Sequence, residues 1–95
     1  MMMIKRDYSC IEMHGHAADK IPCAMMTALS VSLIKNITER LKEDADFRLD
    51  KGVFFLNTMS LSLEAMSLVD AFWYSVQNLA NDYPTSFCIG TDVMR

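Results

Sequence analysis

Residues 47–57, FRLDKGVFFLN, alternate apolar and polar positions on either side of Asp50-Lys51-Gly52. A period of two belongs to a strand, and Gly52 can adopt the left-handed conformation that closes a three-residue hairpin loop. This hairpin lies between two segments of a different period. Upstream, Met26, Leu29, Leu33, Ile34, Ile37 and Leu41 recur at helical spacing between Pro22 and about Lys42. Pro22 suits the first helical turn, where a missing N–H breaks no bond. Downstream, Met66, Val69, Phe72, Trp73, Val76 and Leu79 form a second helical stripe, which Ser60 or Ser62 can cap and Asn81-Asp82-Tyr83-Pro84 ends. A hairpin between two helices needs further strands to complete a sheet, and the chain ends supply them. Met2 to Met13 holds a short strand and a second one, IEMH, with Ile11 and Met13 on one face and Glu12 and His14 on the other; SFCIGTDV supplies a last strand. The order ββαββαβ predicts an α+β fold over residues 1–95. Two hairpins and a C-terminal strand form a single sheet packed with two helices, in one domain.

Composition narrows the functions open to such a domain. Of its 95 residues 52% are apolar, including 9 Met, with only 3 Gly and 2 Pro, which excludes a disordered or collagen-like chain. That much apolar surface on so short a chain favours a dimer. A net charge of -3 and a pI of about 5.2, without a cluster of basic residues, argue against nucleic acid as a direct partner. No apolar core of signal-peptide length follows Lys5, Arg6 and Asp7, and the weakly polar run Ile21 to Ile34 is too short to span a bilayer. No export signal and no membrane span are expected. Three cysteines, Cys10, Cys23 and Cys88, without any CxxC argue against a disulfide scaffold and for a reducing cytoplasm.

Chemistry gathers in HGHAADKIPCA, residues 14–24. Gly15 lets the chain turn sharply out of the strand at His16. Cys23 falls in the first turn of the following helix, where free N–H groups and the macrodipole favour thiolate over thiol. Seven residues reach at most about 24 Å, so the loop allows His16 to fold back onto Cys23. An imidazole there would activate the thiol and protonate a leaving amine. Two other readings fit the same residues. Cys10, His14, His16 and Cys23 are all zinc-ligand types, but Cys10 and His14 lie about 13 Å apart along a strand, too far to share one ion unless the strand bends. Alternatively, Cys23 packs beneath the helix while both histidines are solvated. On any of these readings Cys10 and Cys88, with no base near them in sequence, are structural thiols, and the Phe72-Trp73-Tyr74 cluster is core or dimer interface.

The segment Gly15-His16-Ala17, followed by Cys23-Ala24 at a helix start and Thr27 four residues on, resembles the GHA…CA…S signature of the ribosomal-processing cysteine proteases (Prp). The likeness extends through the order of hairpins and helices. It implies a cytoplasmic, homodimeric endopeptidase that needs no cofactor or metal. Such an enzyme trims the N-terminal extension of a large-subunit ribosomal protein after an aromatic residue. His16 would be the base and Cys23 the nucleophile, with Gly15, Asp19 and Thr27 as substrate-binding or supporting residues. The chain departs from the family in a short connection, AADKIP, where relatives carry a longer, glycine-containing acidic loop with an aspartate shortly before the cysteine. Lys20 stands three residues before Cys23, Pro22 replaces an aliphatic residue and Thr27 replaces serine. A paralogue that binds protein without cutting it would share the same fold. Six residues pinned between Gly15 and the helix have little freedom to lose, so His16 and Cys23 are expected to be hydrogen-bonded before substrate arrives.

Overall fold

Five strands and two α-helices follow the expected order in a computed structural model that describes residues 1–90. They are β1 (Met2–Arg6), β2 (Cys10–His14), α1 (Lys20–Lys35), β3 (Phe47–Asp50), β4 (Val53–Asn57), α2 (Leu63–Asp82) and β5 (Phe87–Gly90). The final residues of the predicted last strand, Thr91 to Val93, lie outside the described residues. The five strands form one sheet in the order β3-β4-β2-β1-β5. β1 runs parallel to β5, while the β1/β2, β2/β4 and β3/β4 pairs are antiparallel.

Cross-strand register fixes the faces. Ile4 pairs with Met13, Ile11 with Leu56 and Met13 with Phe54, which sets one apolar row against the helices. These side chains are at most 4% exposed and join Met26, Leu33, Ile34, Ile37, Val69, Phe72, Trp73, Val76 and Leu79 in a single core. Each of the larger ones contributes about 1.5–3 kcal/mol by leaving water. Arg6 closes the α2 end of this layer, with its guanidinium 5.8 Å from the Trp73 ring centroid and 2.8 Å from Asp70 Oδ1. The opposite face carries Met3, Lys5, Glu12, His14 and Phe55, and no described element covers it.

Helix α1 starts two residues before the expected Pro22, so Pro22 is its third residue, where a missing N–H still breaks no intrahelical bond. Its far end widens into a π-turn, Asn36–Arg40, in which Leu41 N–H reaches the Asn36 carbonyl at 2.9 Å. Lys42, left-handed at φ 59, ends the rod and lets Glu43 N–H bond to the Ile37 carbonyl at 3.0 Å. Together α1 and the π-turn make a 21-residue helix, Lys20–Arg40, long and apolar enough by length and composition alone to cross a bilayer. This helix extends past both ends of the weakly polar run Ile21 to Ile34. One side of it, Met26, Leu33, Ile34 and Ile37, packs into the core with α2 and the sheet.

Candidate active site

Beyond His14, β2 continues its ladder for one further pair. Gly15 N–H donates to the Gly52 carbonyl at 2.9 Å, tying the strand end to the β3–β4 turn. Gly15 has φ +95, and a Cβ built on it would lie 2.9 Å from the Met1 carbonyl oxygen. Neither backbone nor space admits a side chain there. The chain therefore swings out at His16, whose exposed imidazole lies over Gly52. A Cβ at Gly52, itself at φ +76, would come within 3.1 Å of His16 Nε2 and 3.3 Å of Cε1. Gly52 thus has two duties: it closes the hairpin, though in a two-residue loop, Lys51-Gly52, because Asp50 pairs with Val53 in place of joining the expected three-residue loop, and it leaves room for the histidine. The second depends on β2/β4 pairing and could not be read from local pattern.

Asp19 is the N-cap of α1 by its backbone, at φ -112 and ψ 153, but its side chain makes no capping hydrogen bond. Its carbonyl accepts from the Cys23 N–H at 3.3 Å. Cys23 is the fourth helical residue and half-buried. Thr27 Oγ1 donates to the Cys23 carbonyl at 2.9 Å, so this hydroxyl bonds back to its own helix.

His16, Cys23, Gly15 and Thr27 all border one open cavity of about 510 Å³ between α1 and the β3–β4 hairpin. Met13, Met26 and Phe54 line it from the core; Ser30 and Val31 extend it along α1, and Leu49 to Val53 along the hairpin. Asp19 is not among the lining residues. Among the described residues no hydrogen bond joins His16 to Cys23, so the expectation of a pair hydrogen-bonded before substrate arrives is not met. The imidazole rests instead on the hairpin turn, at the rim of the cavity that the thiol also borders.

The remaining candidates separate cleanly. His14 projects from the opposite face of β2 and sits 3.5 Å from Glu12 Oε1, away from this cavity. Burial pushes the Cys10 thiol pKa up, with the Asp7 and Glu12 carboxylates acting in the same sense, so Cys10 is held as thiol. Cys88 is exposed on β5. Phe72 and Trp73 are buried, whereas Tyr74 is 68% exposed. Among the described residues no group of three or more His, Cys, Asp or Glu is arranged to hold a metal ion.

No protein-family model matches the sequence, and no curated protein matches it. Solved structures do. A crystal structure of the essential ribosomal processing protease Prp from S. aureus, with a covalently linked product peptide, superposes with a TM-score of 0.81 at 22% identity, covering 95% of this chain and 98% of that one. The same protease with a substrate peptide gives a TM-score of 0.82 at 19% identity, with the same coverage. The fold is that of Prp. SMU.848 from Streptococcus mutans shares it as well, with a TM-score of 0.74 and 19% identity over 93% of this chain and 89% of that one. The match covers nearly the whole of this chain and of the S. aureus Prp chain.

Proposed function

We propose that this protein is a cysteine endopeptidase acting on an N-terminal extension of a ribosomal protein or a similar precursor. One observation carries the reading: His16, from the end of β2, and Cys23, from the start of α1, border the same apolar, open cavity. The whole-length likeness to a ribosomal processing protease solved with substrate peptide supports it. In the mechanism, the Cys23 thiol passes its proton to His16 and the resulting thiolate attacks the scissile carbonyl carbon. The C–N bond then breaks as the imidazolium gives that proton to the leaving amine. Water, deprotonated by the same imidazole, hydrolyses the thioester and regenerates the thiol. Substrate binding supplies the alignment that the free protein lacks, since catalytic hydrogen bonds tighten in the Michaelis complex.

Three cysteines without a CxxC motif, free of disulfides among the described residues, fit a reducing compartment, and we assign the protein to the cytoplasm. We also propose a symmetric homodimer, because one sheet face is uncovered and carries Met3, 52% exposed, and Phe55. A second reading, a peptide-binding module without turnover, is favoured by the missing hydrogen bond between His16 and Cys23. Incubation with a peptide carrying a single aromatic residue, with products read by mass spectrometry, separates the two. The protease reading predicts one cut after the aromatic residue and none by Cys23→Ala; binding with no cut by the unmodified protein supports the module.

A further inference from the structure

Strand β3 is an edge strand, and all four of its residues are exposed. The hydrogen-bond pattern determines where its backbone points. Register pairs Phe47 with Leu56, Arg48 with Phe55, Leu49 with Phe54 and Asp50 with Val53, and one step further Asn57 N–H donates to the Asp46 carbonyl at 2.9 Å. Bonded and non-bonded pairs alternate in an antiparallel ladder, so Asp46, Arg48 and Asp50 bond to β4, while Phe47 and Leu49 turn their N–H and C=O outward. The other side of β4 agrees. Thr58 N–H donates to the Ser9 carbonyl at 2.8 Å and Gly15 N–H to the Gly52 carbonyl, the pattern that directs Phe54 and Leu56 toward β2.

The outward groups of Phe47 and Leu49 are thus two donors and two acceptors without a hydrogen-bond partner among the described residues. Their side chains lie on the helix-bearing face, yet no helix covers this end of the sheet: Phe47 is 40% and Leu49 37% exposed, whereas Phe54 and Leu56 beside them are 4% and 0%. Leu49 also lines the cavity that holds Cys23. An open polar edge with apolar side chains beside it, running into the nucleophile's cavity, matches one kind of occupant: an extended polypeptide that adds a strand.

We propose that the substrate peptide docks by β-augmentation on the free edge of β3, exchanging backbone hydrogen bonds with Phe47 and Leu49. Its side chains then alternate between the apolar groove beside α1 and solvent. The proposal rests on the endopeptidase reading for the identity of the occupant, and it gives a reason for a short His16–Cys23 connection to suffice. The edge strand, in place of a long loop, fixes the peptide backbone.

The test uses the full chain with Cys23→Ala, which binds without cutting, and a blocked ten-residue peptide with Phe before Ala at its centre. Amide exchange at Phe47 and Leu49 should slow at least tenfold on adding peptide, while Arg48, already bonded to β4, changes little. Leu49→Pro removes an outward N–H without touching the β4 ladder and should weaken peptide binding at least tenfold relative to Leu49→Ala, which controls for the side chain. Unchanged exchange at both amides, or equal affinity of the two variants, overturns the proposal. Protection that rises with protein concentration in the absence of peptide also overturns it, by making the occupant a second copy of the chain. Cleavage by the unmodified protein is measured separately. If it cuts the peptide without edge protection, the protease reading stands and the docking fails; with edge protection and no cutting, the docking stands and the protease reading fails.

Discussion

At the residue scale the site depends on two glycines and one thiol. Gly52 supports the His16 ring, so Gly52→Ala would press a methyl group against Nε2 and Cε1 and place a side chain at φ +76. We expect a stability loss of roughly 1–2 kcal/mol from the left-handed backbone, together with at least a tenfold fall in kcat/KM as the ring is displaced. Thermal unfolding and peptide kinetics on one preparation check both. Among the thiols, burial and two carboxylates raise the Cys10 pKa, which lowers its thiolate fraction at neutral pH. Iodoacetamide at pH 7 should therefore label Cys23 well before Cys10, and peptide mapping reads the order directly. His16, Cys23, Gly15 and Thr27 were picked out in the sequence by local signals, a turn glycine, a helix start and hydroxyl spacing, and the fold sets all four around one cavity. Asp19 was picked out by a local signal as well. Nearness along the chain put it beside His16, but the turn into α1 leaves it outside the cavity, and no local pattern reveals the contact between Gly52 and His16.

At the element scale, both hairpins and both helices follow from periodicity, and α2 uses Ser62, one of its two candidate caps. Ser62 Oγ accepts from Ala65 N–H at 3.1 Å, while the Ser62 hydroxyl and N–H both donate to the Glu43 carboxylate, the latter at 3.1 Å. This links the end of the α1 rod to the start of α2. Ser62→Ala should lower stability by about 1 kcal/mol, measured as a reduced urea midpoint with an unchanged slope. The π-turn at Asn36–Arg40 was not legible, because its residues suit an ordinary helix and only the ring size of the hydrogen bonds differs. Sheet order was equally hidden: alternation marks a strand and its faces but not its neighbours. The β2/β4 pairing that brings Gly52 to His16 is a long-range choice made by the core.

At the scale of the whole molecule, two helices cover one face of a five-stranded sheet and stop short of β3, which leaves a cavity at one edge and a bare face behind. The bare face underlies the proposed homodimer. Light scattering at micromolar concentration should give about 22 kDa, twice the 10.8 kDa of the chain; a value near 11 kDa would remove the dimer. The proposed chemistry stands or falls on Cys23 as nucleophile and His16 as its base. A peptidyl chloromethyl ketone ending in Phe, with the modified residue located by mass spectrometry, probes both roles at once. The expected result is a single adduct on Cys23, formed about a hundredfold more slowly in His16→Ala and within a fewfold of the unmodified rate in His14→Ala. An adduct on Cys10 or Cys88, or a Cys23 rate indifferent to His16, would contradict those roles.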